Sequence, residues 1–459
     1  MPDDLSLFAL SELLAPLHGE LRGADRRFTR VSTDSRAQLD GALFVALRGE
    51  RFDGHAFVAQ ARAAGAVAAL VSEFVDDPLP QLKVADTLAG LQQMATLWRR
   101  RFAIPVVAVT GSNGKTTTKQ MLAAIFRARG PVLATQGNLN NHIGVPLTLL
   151  GLRGEHRTAV VEMGASHGGE IALLARIAEP NVGVVTQAGD AHLEGFGSRE
   201  GVARGKGELF AALGAGGVAV INAEDAFFPL WKELAGPAAA LSFGLRDGVD
   251  IRALHVEALP GAGTRFTLVT PQGRAEVQLP VPGRHNVMNA LAAAGCGIAL
   301  GLGPAQIAIG LSQMEGAAGR LSWKATPQGA RLLDDSYNAN PSSLRAGLEL
   351  LAELPGRRWL VLGNMAELGA DAARLHAEAG ASARRLGIER LYALGPLAAE
   401  AATAFGAGGE RYDSAEQLAA ALAPQLDNTI TLLVKGSRSS RMERVVAALT
   451  GESMHGGTH

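Results

Sequence analysis

VVAVTGSNGKTTTKQML, residues 106–122, is the stretch on which the fold turns. Val106 to Val109 form a short run apolar on both faces, as a strand buried inside a parallel sheet requires. Gly111 and Gly114 let the chain turn tightly, so that several backbone N–H groups can face one phosphate. A helix is predicted to open near Lys115, adding its positive end and a full cation. Thr116 offers a hydroxyl where such loops hold Mg²⁺. Gly111, Ser112, Asn113, Gly114, Lys115, Thr116 and Thr117 are thus the candidate triphosphate cradle. The motif departs from GxxxxGK[ST], because Val109 stands where the first glycine would be; its form is TGxxGKTT. A ligand-free strand–helix turn would need the glycines, but not the lysine and threonines in this order.

Working outward, TAVVEMG (158–164), NVGVVTQ (181–187) and GGVAVINAE (216–224) repeat the apolar-strand rhythm between helical stretches. This predicts a mainly parallel sheet covered on both sides. Between about 250 and 282 the pattern changes to hairpin-like alternation, followed by two helical stretches after Asn286. Residues 102–317 are read as one central domain. Before it, VSTDSR (31–36) and ALFVAL (42–47) read as short strands around a turn near Asp40-Gly41, then a helix from His55, a strand at 66–71 and a helix over 86–101. Residues 1–101 are accordingly a small mixed α/β domain. After it, residues 318–459 alternate again: RLLDD, SSLRAGLELLAEL, RWLVLG, a helix near 371–386, RLYALG, TITLLVKG and a final helix. The order is Rossmann-like, but no GxGxxG follows the first strand, so NAD binding is not expected. The terminal GESMHGGTH reads as a frayed tail.

With 459 residues, a three-domain chain is the natural expectation. Its 43 Lys and Arg against 44 Asp and Glu leave a net charge of -1, with no electrostatic footprint for nucleic acid or an anionic membrane. One cysteine, Cys296, permits neither an internal disulfide nor a cysteine-rich metal site, and fits a reducing compartment. The opening MPDDLSLFAL is acidic where a secretory signal would be basic, and no charge-free apolar run reaches the roughly 18–20 residues a membrane span needs. A cytoplasmic location is expected.

Further candidates cluster after the central strands. Glu162 ends one, with His167 just beyond, where α/β proteins place ligands. A carboxylate there could complete a magnesium shell with Thr116 or serve as partner to a basic residue. His192 and Glu194 lie in AHLEGFGS (191–198), and Lys206 on the next helix could reach the same mouth or face solvent. TQGNLNNHIGVP (135–146) carries Asn138, Asn140 and Asn141, as an elaborate turn or a polar-substrate clamp would. Asn286 and Asn289 stand three apart, on one helix face; Asn286 could simply cap that helix. The guanine-reading NKxD of P-loop switches does not follow the loop, which argues against a nucleotide switch.

TGSNGKTTTK, GNLNNHIGVP, EMGASHGGEI, AHLEGFGS, GRHNVMNA, DDSYNANPSS, GNMAELG and VKGSRS occur in order along the chain. Together they resemble the Mur ligases. TGxxGKTT marks only the superfamily, which includes folylpolyglutamate and cyanophycin synthetases; DDSYNANP with GNMAELG is more specific, and resembles the branch whose incoming amine is D-Ala-D-Ala. The resemblance implies an N-terminal UDP-binding domain, a central ATPase domain and a closing C-terminal domain. It implies ATP, one or two Mg²⁺, and UDP-MurNAc-tripeptide and D-Ala-D-Ala as small-molecule substrates. A monomer is the simplest expectation, apart from the resemblance. By the same resemblance Lys115 contacts β- and γ-phosphates, Thr116 and Glu162 hold magnesium, and His192 helps hold a second ion. Lys206 falls where the family can carry a carbamylated lysine. Asn286 and Asn289 match adenine-side residues, Arg320 a phosphate-reaching arginine, and Asp335 a ribose-holding carboxylate. Ser32, Asp34, Ser35 and Arg36, with ALRGERFDGH, match the UDP site. Asn138 and Asn141 are expected at the substrate, and Tyr337, Asn338 and Asn340 near the acyl phosphate and amine. No DNPR occurs, which argues against the diaminopimelate-adding relative; another Mur-type amino-acid-adding ligase is the alternative.

Overall fold

The computed structural model describes residues 6–50, 52–190, 192–259, 263–316 and 318–452. Most of the tail expectation (453–459), and the domain boundary placed at 317, therefore lie outside the described residues.

Three sheets organise the chain. In the first, the strands run in the order Glu20–Arg22, Gln81–Lys83, Ala68–Val71, Ala42–Val45, Arg30–Ser32, and only the Glu20–Arg22 pairing is antiparallel. The strands on either side of Asp40-Gly41 are parallel neighbours, Val31 opposite Leu43, and the first is shorter than the 31–36 read from the sequence. The first ends at Ser32, because residues 32–36 fold into side-chain-bonded turns.

The central sheet has nine strands. Val132–Ala134, Thr158–Glu162, Val106–Thr110, Val182–Val185, Val218–Asn222, Ala239–Gly244 and Ile251–Leu259 are parallel in that spatial order, and Gly263–Thr270 and Gly273–Leu279 add an antiparallel edge. The phosphate-loop strand lies between Thr158–Glu162 and Val182–Val185, all fully buried, so both faces must be covered. Helices Lys115–Phe126, Arg284–Ala299 and Pro304–Ser312 cover one face, and Glu170–Ala178 and Arg199–Ala211 the other. The third sheet runs Ser322–Ala325, Arg331–Asp335, Ile430–Lys435, Arg357–Gly363, Arg390–Leu394, Gly409–Tyr412, parallel except for its first pair.

Helix Thr87–Arg99 joins the first sheet to the second. Asp86 caps it through Oδ1, which accepts from the N–H groups of Leu88 and Ala89. Arg99 does more than complement the helix end. It is buried, and its guanidinium donates to the carbonyls of Phe102 (2.6 Å), Ile104 (3.2 Å) and Ala178 (3.2 Å), fixing the chain as it enters the central sheet. Trp98 Nε1 donates to the Leu152 carbonyl at 3.1 Å across the same junction.

Candidate active site

The turn after Thr110 is shaped by its glycines. Gly111 has φ +141, and a Cβ there would stand 1.9 Å from Thr186 Oγ1; Gly114 has φ +82, and a Cβ would stand 2.3 Å from Asn289 Oδ1. Neither position admits a side chain, so the loop backbone lies close against the neighbouring strand end and the Arg284–Ala299 helix. The helix beginning at Lys115 points its N-terminus into a cavity of about 890 Å³.

That cavity is the seam between the central and third sheets. Ser112, Asn113, Gly114, Lys115, Thr116, Thr117, Asn141, Glu162, His192, Asn286 and Asn289 line it from the central side, and Arg320, Asp335 and Asn338 line it from the third. Gly111 lies just behind the loop and Lys206 behind the wall. Ser32, Asp34, Ser35, Arg36 and Asn138 are elsewhere, in the first segment or on the exposed part of the 135–146 loop. Around Asp34 a compact exposed turn forms: Arg36 Nε and Nη2 donate to its two carboxylate oxygens at 2.8 and 2.9 Å, and the Asp34 N–H donates to Ser32 Oγ at 3.1 Å.

Lys115 Nζ donates to the Gly111 and Ser112 carbonyls at 2.6 and 3.3 Å, holding its ammonium over the loop. Burial lowers its pKa, partly opposed by Glu162, while Arg320 adds to the lowering. Of the two roles its sequence position left open, Glu162 takes that of partner to a basic residue. Oε1 accepts from Asn140 Nδ2 at 2.8 Å, whereas Oε2 is buried without a hydrogen-bond donor among the described residues, 3.6 Å from Lys119 Nζ. An orphaned carboxylate oxygen on the cavity wall beside the Thr116-bearing helix suits a hard cation. Among the described residues, no three His, Cys, Asp or Glu side chains converge as a complete metal set.

His192 sits in left-handed backbone (φ +57), and its Nδ1 lies 2.6 Å from Oε2 of Glu367, also left-handed (φ +60), reaching in from the third segment. Lys206 is 1% exposed; its Nζ donates to the Ala165 carbonyl at 2.8 Å and lies 5.0 Å from the Phe196 ring centroid. Burial, reinforced by the charge of Lys115, pushes its pKa down to about 7.

Asn286 is not the helix cap. Gly283 occupies that position, and Asn286 stands in the first turn, donating from Nδ2 to the Pro282 carbonyl at 2.7 Å while its Oδ1 accepts from Asn289 Nδ2 at 3.1 Å. The pair forms one amide surface facing the cavity beside the loop. Opposite, Lys435 Nζ binds Asp335 Oδ2 at 2.5 Å and the Asn338 carbonyl at 3.0 Å, and Arg320 lies 4.3 Å from the Tyr337 ring centroid.

Family models match almost end to end: "Mur ligase family, catalytic domain" over residues 27–93, "Mur ligase middle domain" over 109–297 and "Mur ligase, glutamate ligase domain" over 319–438. The UDP-N-acetylmuramoyl-tripeptide–D-alanyl-D-alanine ligase of Escherichia coli K12 is 45% identical over 96% of this chain and 98% of that protein. The chain belongs to the Mur ligase family. A crystal structure of MurF from Acinetobacter baumannii superposes with a TM-score of 0.91 at 37% identity, covering 97% of this chain and 99% of that one. MurF ligase from Thermotoga maritima, solved in complex with ADP, gives 0.81 at 29% identity over 92% and 97%. The three-domain α/β architecture expected from sequence is that of these Mur ligases.

Several residues that shape the site in this Mur ligase escaped the sequence reading. Lys119 faces Glu162 one helical turn after Lys115, an i,i+4 spacing that was available in TGSNGKTTTK. Lys435 sits in VKGSRS and pairs with a residue 100 positions earlier. In the asparagine loop, Asn140 reaches Glu162. Asn141 Oδ1 instead accepts from the N–H groups of Ile143 and Gly144 and starts the Gly144–Leu149 helix.

Proposed function

We propose that this chain is an ATP-dependent ligase that phosphorylates the terminal carboxylate of UDP-MurNAc-tripeptide and joins it to the amine of D-Ala-D-Ala, giving UDP-MurNAc-pentapeptide, ADP and phosphate. The observation that carries this reading is the seam cavity, with the phosphate loop on one wall and Arg320, Asp335 and Lys435 on the other. The units are taken as 1–101, 102–317 and 318–459, with the UDP end of the substrate on the first, through Ser32, Asp34, Ser35 and Arg36.

A carboxylate is a poor acyl donor because oxide cannot leave. Phosphorylation supplies the leaving group: the carboxylate oxygen bonds to the γ-phosphorus as the bond to the β–γ bridging oxygen breaks. Two anions must meet for this, so cations are required where charge collects. Lys115 and Arg320 supply them, and the loop N–H groups of residues 111–117 hold the phosphates. Asn286 and Asn289 present amides to the base, and Asp335, held by Lys435, accepts from the ribose hydroxyls. Thr116 and Glu162 would hold Mg²⁺, with His192 as ligand to a second ion; bound magnesium neutralises phosphate charge. The amine then attacks the acyl carbon and phosphate leaves, with Asn141, Asn338 and Asn340 lining its approach. Covering by the third unit keeps water from the acyl phosphate.

Lys206 is read as the site of a carbamate. Its Nζ is buried, with the Ala165 carbonyl as its one hydrogen-bond partner among the described residues, and a pKa near 7 leaves much of the amine neutral and nucleophilic toward CO₂. Addition forms an N–C bond and releases a proton, turning a cation into an anionic oxygen donor beside the metal residues. The enzyme is read as a cytoplasmic monomer; among the described residues no helix is long and apolar enough to cross a membrane.

The decisive experiment measures phosphate release and product mass with ATP, Mg²⁺ and UDP-MurNAc-tripeptides ending in diaminopimelate or lysine, with and without D-Ala-D-Ala. A new amide formed only when the dipeptide is present is expected. Amide formation with single amino acids instead would favour another amino-acid-adding ligase, and hydrolysis without any amide would overturn the assignment.

A further inference from the structure

The third residue of the phosphate loop turns its side chain away from the phosphates. Asn113 Nδ2 donates to Ser342 Oγ at 2.8 Å, and its Oδ1 accepts from Asn340 Nδ2 at 2.7 Å. Both ends of the carboxamide are therefore spent on residues 227 and 229 positions away, in another unit. The partners are themselves fixed. Asn340 caps the Pro341–Glu353 helix, its Oδ1 accepting from the Ser343 N–H and from Ser342 Oγ, each at 2.9 Å. On the loop side, the Asn113 carbonyl accepts from Thr186 Oγ1 at 2.5 Å, tying it to the strand end beside the loop.

The backbone is shaped to let these groups meet. A Cβ at Gly189 would stand 2.9 Å from Ser342 Oγ and 3.5 Å from Ser112 Cβ, and the Gly189 N–H donates to Ser112 Oγ at 2.9 Å. Two loop residues, 112 and 113, thus direct their side chains to packing and docking, leaving their backbone for phosphate.

We propose that Asn113 is a positioning residue that couples the phosphate loop to docking of the third unit, through a reciprocal amide contact with Asn340 and Ser342. A carboxamide offers a donor and an acceptor at fixed separation, so it engages both partners only when the capped helix end is seated. Seating also brings Arg320, Asp335 and Lys435 over the nucleotide. The loop would then reach its working shape when the cations of the other wall arrive, and phosphoryl transfer would be tied to closure. This deepens the ligase reading and rests on it.

The test is a double-mutant cycle of Asn113→Ala and Ser342→Ala in the full-length enzyme, with Ser342→Thr as the conservative variant that keeps the hydroxyl. Three quantities are read: kcat, ATP affinity without other substrates, and the distance between dyes on cysteines introduced at exposed Ala305 and Arg385, since native Cys296 is buried. Each alanine variant should lower kcat about tenfold, the loss of one or two hydrogen bonds. The double variant should be no worse than the poorer single, ATP affinity should stay within about twofold, and Ser342→Thr should recover most of the rate. Substrate-induced shortening of the dye distance should be lost in both alanine variants. Additive rate losses, or a parallel fall in ATP affinity with closure intact, would overturn the proposal. If the wild-type enzyme closes through Asn113 yet makes no amide with D-Ala-D-Ala, the ligase reading fails and the coupling stands.

Discussion

Replacing Lys435 by methionine isolates the strongest buried electrostatic contact of the third unit. Its ammonium is 2.5 Å from Asp335 Oδ2 and 3.0 Å from the Asn338 carbonyl, with the two side chains 3% and 15% exposed. Removing one member of such a pair costs about 3–5 kcal/mol, because a buried charge is left without compensation. Asp335 keeps slight exposure and the field of Arg320, so the lower end, about 3 kcal/mol, is expected. For a unit this size that is a fall of roughly 10 °C in its unfolding midpoint. Burial already raises the Asp335 pKa even with Lys435 present, and losing the lysine raises it further. An acid whose folded pKa lies above its unfolded one contributes stability below the ordinary carboxylate range and loses it as pH rises through the folded value. The deficit of Lys435→Met should therefore shrink on acidification. Asp335→Asn combined with Lys435→Met should return to within about 1 kcal/mol of wild type while turnover stays low, separating stability from the nucleotide contact. Calorimetry and amide exchange of the Ile430–Lys435 strand across pH report all three. A cost below about 1 kcal/mol, a pH-independent deficit, or a double variant no better than the single would refute the reasoning.

Lys115→Ala should reduce ADP release by at least about 10²–10³-fold. Its unfolding temperature should barely move, since its hydrogen bonds reach only two loop carbonyls; near-normal turnover by a folded variant would remove the lysine from the mechanism. Gly114→Ala should abolish nucleotide binding, measured by titration calorimetry. Gly137→Ala, at φ +52 with nothing within 4 Å of the new Cβ, should cost at most about 1 kcal/mol of stability and keep binding. Lys206→Ala should be inactive and insensitive to bicarbonate, whereas CO₂-depleted wild type should regain rate when bicarbonate is added; an active, metal-bound enzyme with a plain amine at Lys206 by intact mass would exclude the carbamate. His376, fully buried, accepts the Met365 N–H on Nε2 at 2.8 Å and lies with Nδ1 2.7 Å from the Ala372 carbonyl, so it anchors the loop carrying Glu367 in its neutral form. Burial lowers its pKa, so its contribution is present above the ordinary histidine range and lost as pH falls through the lowered value. Wild-type melting temperature should therefore drop on acidification more steeply than that of His376→Gln, and parallel curves would contradict the anchor.

What could be read from the chain follows from how local each signal is. Strands such as Val106–Thr110 and Ile430–Lys435 are buried on both faces, so their apolar runs are unmistakable. Gly409–Tyr412, GERY, is a half-polar edge strand, and the flanking alanine-rich helices Ala398–Phe405 and Ala415–Leu422 are only 8 residues each, too short for a sustained period; all three were passed over. The relative direction of Arg30–Ser32 and Ala42–Val45 was not legible, because alternation specifies a strand but not its partner's orientation. At the site, the phosphate loop is one contiguous motif and was fully visible. The contacts of Asn113, Glu367 and Lys435 were not, because each partner lies in another part of the chain and only the fold brings them together.

The placement of charge explains why the site is a seam rather than a pocket within one unit. A phosphate loop with Lys115 can bind a triphosphate alone, but with water present it would then tend toward hydrolysis. Here the further cations, Arg320 and Lys435, belong to the opposite wall, and one of them is already neutralised by Asp335. Full compensation of two meeting anions is therefore available only when the third unit is seated, which is also when bulk water is displaced. The two positive-φ residues that meet across this seam, His192 and Glu367, place backbone strain at the same contact. A fold that keeps its cations on separate bodies makes the reactive intermediate conditional on closure, and so protects an acyl phosphate that neither body could shield alone.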